Sequence, residues 1–161
     1  MHYKRKLIDH LILELEVIYQ TALTAAKRAY STSTDKANIA ENKYDTLALE
    51  AAYLAEGQAK RASECRADLD AIRSLTALEC SQSDAIVVGA LVRLIDQHEK
   101  PLSLFLTPVS GGLKFVFEEQ IILVITQSSP LGKELLGKFV NDEFEFGNGQ
   151  HKKSYRISDI D

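Results

Sequence analysis

The chain has no tryptophan, only two cysteines, three prolines and one methionine among its 161 residues. Each scarcity excludes something. Cys65 and Cys80 show no C-x-x-C spacing and no histidine pair nearby, so neither a zinc site nor a disulfide framework is expected, and a reducing cytoplasm fits best. No uninterrupted apolar run is long enough to span a membrane. The opening MHYKRKLIDHLILELEV has the basic start of a signal peptide, but Asp9, His10, Glu14 and Glu16 break its apolar run and no small-residue cleavage site follows. A positive charge excess is lacking too. With a net charge of −4 there is no general attraction to phosphates, so any link to nucleic acid should run through a protein partner.

What is present suffices for a core, since 45% of the residues are apolar. Ile8, Leu11, Leu15, Ile18, Ala22, Ala25 and Ala29 step by threes and fours, which predicts one face of a long helix. The rhythm returns in Tyr44, Ala48, Ala51, Ala55, Gln58, Ala62, Cys65, Leu69 and Ile72. Neither stripe can be hidden alone, and the short STSTDKAN connection suits antiparallel neighbours, so an αα-hairpin is expected. A first helix of about 25 residues at ~1.5 Å each would reach on the order of 40 Å.

The helical period ends at ECSQSDA, Glu79 to Ala85. The expected division is a coiled-coil hairpin at 1–78 with an acidic tip at 35–45, a linker at 79–84 and a second domain at 85–161. In that second domain AIVVGALVRLID, LSLFL, LKFVFEE and IILVIT read as strands of a small antiparallel sheet. SSPLGKELLG reads as a short helix with Ser129 as cap, Pro130 at its first position, Leu131, Leu135 and Leu136 on one face and Gly137 at its end. Asn148-Gly149 predicts a two-residue hairpin turn between the last two strands. The fold class is therefore α+β.

Enzyme motifs fail in this second domain: there is no phosphate-binding glycine loop, no trustworthy Ser/His/Asp order and no paired carboxylates on an evident cleft. His98 and His151 fall in turn-like contexts, and His2 and His10 are isolated near the start of the first helix. Lys152 and Lys153 read as a solvated edge. The tip gathers Asp35, Glu41 and Asp45. Asn38 followed by Glu41 also has the form of a helix cap with glutamate at its third position, so capping and metal chemistry are both open there.

ITQSSPLGKELLGKFVNDEFEF, Ile125 to Phe146, followed by YRISDI, Tyr155 to Ile160, resembles the C-terminal signature of the Gre transcript-cleavage factors. Upstream, ENKYDTLALEAAYLAEGQA resembles the second hairpin helix of that family, with Glu56-Gly57 standing about fifteen residues after Glu41-Asn42. The resemblance covers nearly the whole chain. It implies a coiled-coil hairpin joined to an FKBP-like domain that docks at the rim of bacterial RNA polymerase's secondary channel and sends the hairpin toward the active centre; a hairpin that satisfies its own seam has little need of a second copy, so a monomer is expected. Asp35, Asn38, Glu41, Asn42 and Asp45 at the tip, and Ser129, Pro130 and Lys133 behind, are then the candidate polymerase contacts.

In the family, an aspartate and a glutamate three residues apart help hold the polymerase's second Mg²⁺ and activate water. The glutamate corresponds to Glu41, but Asn38 stands where the aspartate is expected. An amide brings oxygen but no negative charge, and cannot act as a base near neutral pH. Three readings follow: a channel-binding regulator without efficient cleavage, a cleavage-stimulating factor in which Glu41 works with Asp35 or Asp45, and a prolyl-isomerising folding helper. The third lacks an aromatic-lined cleft, because Phe105, Phe115, Phe117, Phe139, Phe144 and Phe146 mostly fit core positions. In none of them does the chain hold a cofactor of its own. The expectation is that the chain is not itself an enzyme and at most stimulates the polymerase's intrinsic cleavage with the polymerase's Mg²⁺.

Overall fold

A computed structural model describes residues 2–34, 47–75 and 84–161. The chain forms two compact units: Ile12–Asp70, and Met1–Leu11 together with Ala71–Asp161. The expected linker falls almost wholly outside the described residues.

Two helices make the hairpin, α1 (His2–Thr34) and α2 (Leu47–Arg73). In the first unit the heptad residues turn inward: Leu15, Ala22, Ala29, Ala62 and Leu69 are buried, and Ile18, Ala25, Ala51, Ala55, Gln58 and Cys65 are half-buried. Polar side chains brace the rim, with Arg66 bound to Asp70 at 2.9 Å and its guanidinium 5.7 Å from the ring of Tyr19. The expected connection began at Ser31, yet α1 continues to Thr34. The Thr32 hydroxyl donates to the Arg28 carbonyl at 3.1 Å and the Thr34 hydroxyl to the Tyr30 carbonyl at 3.0 Å, so these side chains serve the helix's own end. Among the described residues, no helix is long and apolar enough to cross a membrane.

The second unit is built on six strands: β1 (Leu91–Asp96), β2 (Pro101–Thr107), β3 (Lys114–Phe117), β4 (Gln120–Thr126), β5 (Glu143–Phe146) and β6 (Lys153–Ile160). Their order across the sheet is β3-β4-β2-β1-β6-β5. The sheet is antiparallel as expected at every pair but one. β3 reverses the chain, β4 reverses it again, and β4 then inserts beside β2 and runs parallel to it, with Phe105 opposite Val124. The run AIVVGA is not strand either; β1 starts at Leu91, after a loop in which Gly89 takes a φ of 96°.

Both faces of this sheet are covered, which explains why Leu104, Phe105 and Leu106 are successive buried apolar residues rather than an alternation. Val92, Leu94, Leu104, Leu106, Ile125 and Ile157 join Ile86, Leu135 and Phe144 in one core. The alternate residues Leu91, Phe105, Ile122 and Val124 are buried on the opposite face. There the first turns of α1 meet β3: Tyr3 packs edge-on against Phe117 at 5.3 Å, and His10 lies 5.3 Å from Phe115 and 5.5 Å from Phe117. His10 is therefore not isolated but part of an aromatic cluster.

The turn expected at Asn148-Gly149 is longer than two residues. Phe146 pairs with Lys153, and Gly149–His151 form a 3-10 turn between them. Lys152 pairs with Glu145 across this loop.

Candidate functional site

The stretch from Ile125 to Phe146 folds as one continuous motif at the end of β4. Ser129 takes an extended conformation (φ −66°, ψ 153°) and caps α3 (Pro130–Leu135). Its hydroxyl accepts from the Gly132 N–H at 3.0 Å and donates to the Thr126 carbonyl at 2.7 Å, tying the helix start to the strand end. Pro130 occupies the first turn, where its missing N–H is no loss. Gly132 is pressed so tightly on Thr126 that no side chain fits.

At the other end, the Leu136 N–H donates to the Gly132 carbonyl and Gly137 turns the chain with a φ of 79°. The Gly137 N–H then donates to Ile86 at 2.9 Å, and the Ile86 N–H to Lys138 at 2.8 Å, so the helix exit is bridged to the loop before β1. Of the three leucines expected on one face, Leu131 and Leu135 reach the core, whereas Leu136 is 38% exposed because its backbone has already left the helix. Lys138 lies beyond α3, bonded to Glu134 at 3.2 Å and 5.7 Å from the ring of Phe144. Asp142 completes the motif: its carboxylate accepts from the Phe139 N–H at 2.8 Å and its carbonyl from Ile157 at 3.0 Å.

Of the expected contacts in this unit, Ser129 is committed internally by its two hydrogen bonds, while Pro130 and Lys133, three positions apart on one face of α3, are exposed. Sequence reasoning missed the exposed apolar trio beside them. Val87, Leu136 and Phe139 all flank the Ile86–Gly137–Lys138 bridge, at 41%, 38% and 47% exposure. No periodicity marks them, because two backbone hydrogen bonds between distant segments bring them together.

The tip candidates Asp35, Asn38, Glu41, Asn42 and Asp45 lie outside the described residues. So does the expected cap of Asn38 and Glu41.

Elsewhere a cleft beside the β1–β2 turn gathers Asp96, Glu99, Glu143 and Arg156. Asp96 is held there as a turn anchor. Its carboxylate accepts from the backbone of Lys100 at 2.9 Å and His98 at 2.8 Å, and the Lys100 bond above all holds its pKa below the usual carboxylate range. Ser154 and Tyr155 also line this cleft, and the Ser154 N–H donates to the Gln97 side-chain oxygen at 3.2 Å. Among the described residues, no three His, Cys, Asp or Glu side chains are placed to share a metal ion.

No family model matches the chain, and no curated protein does. Among solved structures it is similar to GreA factor homolog 1 (Gfh1) of Thermus thermophilus, at 21% identity over 99% of this chain and 94% of that one, with a TM-score of 0.39. Thermus aquaticus Gfh1 is similar at 22% identity, covering 99% and 95% of the two chains, with a TM-score of 0.39. The prokaryotic transcription elongation factor GreA/GreB from Nitrosomonas europaea is similar at 19% identity over 62% of this chain and 78% of that one, with a TM-score of 0.38. The likeness is to Gre-type factors.

Proposed function

We propose that this protein is a Gre-type transcription factor that binds bacterial RNA polymerase at its secondary channel and modulates elongation without efficiently stimulating transcript cleavage. The observation that carries this reading is the Ile125–Phe146 signature. The residues that mark the resemblance are the ones that build the Ser129-capped, Gly132-seated motif and leave Pro130 and Lys133 facing outward. In this reading the sheet unit docks and the hairpin carries the tip to the polymerase's active centre.

The lack of efficient cleavage in this reading follows from charge. A hard divalent cation is held best by carboxylate oxygens, and a water to be activated needs a nearby base. Asn38 supplies neither charge nor basicity, so Glu41 would stand without the partner that the family uses. A second reading keeps cleavage alive through Asp35 or Asp45, the two other carboxylates of the tip.

RNA cleavage by stalled, backtracked complexes of the cognate polymerase in Mg²⁺ separates the two. The favoured reading expects no stimulation by the wild-type protein, competition with a cleavage-active Gre factor, and stimulation gained in Asn38→Asp. Strong wild-type stimulation that disappears in Glu41→Ala would replace it with the second. Absence of any polymerase binding would overturn both.

A further inference from the structure

The hairpin unit carries a shallow groove that its own seam leaves open. On one side it is lined by Val17, Ile18, Thr21, Ala22 and Ala25 of α1 and by Gln58 and Arg61 of α2. A neighbouring hollow shares Val17, Thr21 and Ala25 and is lined also by Glu16, Gln20, Thr24 and Arg28. The floor is apolar despite its threonines. The Thr21 hydroxyl donates to the Val17 carbonyl and the Thr24 hydroxyl to the Gln20 carbonyl, both at 2.8 Å, so neither is spare for a polar guest. Val17, and Leu13 one turn before it, are each 65% exposed, a large apolar commitment to solvent on a helix whose own seam lies on another face.

The rim carries two arginines, Arg28 and Arg61, and one acidic residue, Glu16 beside Gln20. Arg28 and Arg61 are exposed, and neither side chain has an ion-pair or hydrogen-bond partner among the described residues. Arg66, five residues beyond Arg61 on α2, is by contrast bound to Asp70, and Glu16 accepts from Gln20 at 3.3 Å. The unpaired guanidinium groups thus stand where the apolar strip is, in a chain whose net charge is −4. From Val17 to Arg28 the floor extends for about 17 Å, roughly three helical turns.

We infer that this groove seats an amphipathic helix of a partner protein, with an apolar stripe laid on Val17, Thr21 and Ala25 and carboxylates beside it meeting Arg28 and Arg61. A third helix against a two-helix hairpin completes a small bundle and removes Leu13 and Val17 from water. Guanidinium forks suit carboxylates in two-point contact, which fixes the guest's register as well as its charge. Two separated cations over an apolar floor are, conversely, a poor track for a phosphate backbone, whose affinity rests on many cations in series. The inference goes beyond the proposed function and does not depend on it, because the groove lies on the hairpin side wall and not in the tip.

The test uses the full chain and a fluorescein-labelled synthetic helix of about 18 residues, with leucines at i, i+4, i+7 and i+11 and glutamates flanking them. A second probe carries lysine in place of each glutamate. Fluorescence anisotropy should show saturable binding of the glutamate probe, weakened at least about tenfold by Arg28→Glu with Arg61→Glu and weakened for both probes by Val17→Ser. The charge-reversed variant should in turn prefer the lysine probe. All three sites are exposed, so circular dichroism should show unchanged helix content. No binding of the glutamate probe, or equal binding of both probes to the wild type, overturns the inference. So does a single-stranded RNA oligomer that displaces the glutamate probe and is itself lost in the charge-reversed variant, or sedimentation showing a dimer that Val17→Ser dissociates.

Discussion

Gly132 sits directly on the backbone of Thr126: a Cβ built on it would lie 2.0 Å from the Thr126 carbonyl oxygen and 2.9 Å from its carbonyl carbon. The same oxygen accepts from the Ser129 hydroxyl and the Ser129 N–H, so it cannot move aside without breaking the cap. Gly132→Ala should therefore destabilise the sheet unit by about 3 kcal/mol, as other backbone-clashing insertions into packed sites do. Urea denaturation followed by near-ultraviolet tyrosine dichroism checks it. A loss below the error of the midpoint would mean that α3 can lift off β4.

Ser129 holds the other half of that junction. In Ser129→Ala the Gly132 N–H loses its acceptor, at a cost of about 1–2 kcal/mol, while Ser129→Thr should retain most of the cap. If the polymerase-binding reading holds, neither substitution reverses the direction of the effect on transcription, because the hydroxyl points into the fold. The check is denaturation of both variants beside a polymerase-binding titration.

How much of this was legible in the sequence depends on how local each determinant is. Ser129, Pro130 and Gly137 declare α3 within nine residues, and the two seams declare themselves by period, since burial follows Leu15, Ala22, Ala62 and Leu69 as spaced. The insertion of β4 beside β2 was not legible, because nothing within β3 or β4 encodes which strand they meet. Asn148-Gly149 misled for a related reason. A two-residue loop there would set Phe144 opposite Lys153, whereas the observed register sets Phe144 opposite Tyr155, with the rings stacked at 5.6 Å. Aromatic packing across the strands outweighs the turn preference of one dipeptide. The α3 surface was half legible: Pro130 and Lys133 follow from the helix, but Val87 and Phe139 arrive through long-range hydrogen bonds.

Glu118 and Glu119 link β3 to β4 with φ of 45° and 66°, so two side-chain-bearing residues both occupy the left-handed region of a two-residue turn. That region penalises an L-residue other than glycine, asparagine or aspartate. Replacing the pair with Asn-Gly, as Glu118→Asn with Glu119→Gly, should stabilise the protein by about 1–2 kcal/mol. An unchanged or lowered denaturation midpoint would show that the glutamates are held by contacts that outweigh the strain.

Asp96 makes stability depend on acid. Its folded pKa lies below the ordinary value, so the folded state favours the carboxylate. The sign follows from linkage: the contribution is complete above the unfolded value of about 3.9 and is lost as pH falls through the folded value. Wild-type stability should accordingly drop on acidification below about pH 4, and Asp96→Asn should show a shallower drop, because its amide oxygen still accepts from Lys100 and His98 but does not titrate. Denaturation midpoints measured at neutral pH and in the acid range give the comparison. Parallel pH profiles for the two proteins would remove Asp96 from the account.

Gly57 is the counterpart of Gly132, since nothing lies within 4 Å of a Cβ placed on it and it stands exposed in the middle of α2. No steric reason within the hairpin unit calls for glycine, which in a helix interior is less favourable than alanine by about 0.5–1 kcal/mol. Gly57→Ala should stabilise the hairpin by that amount and raise the helical melting transition without altering the core of the sheet unit. Thermal circular dichroism at a helix wavelength measures it. Two glycines of one chain thus predict opposite signs for the same substitution, because one Cα is in contact with a strand carbonyl and the other with solvent. If Gly57→Ala proved destabilising, α2 would have to bend or pack at that point in a way its surroundings do not show.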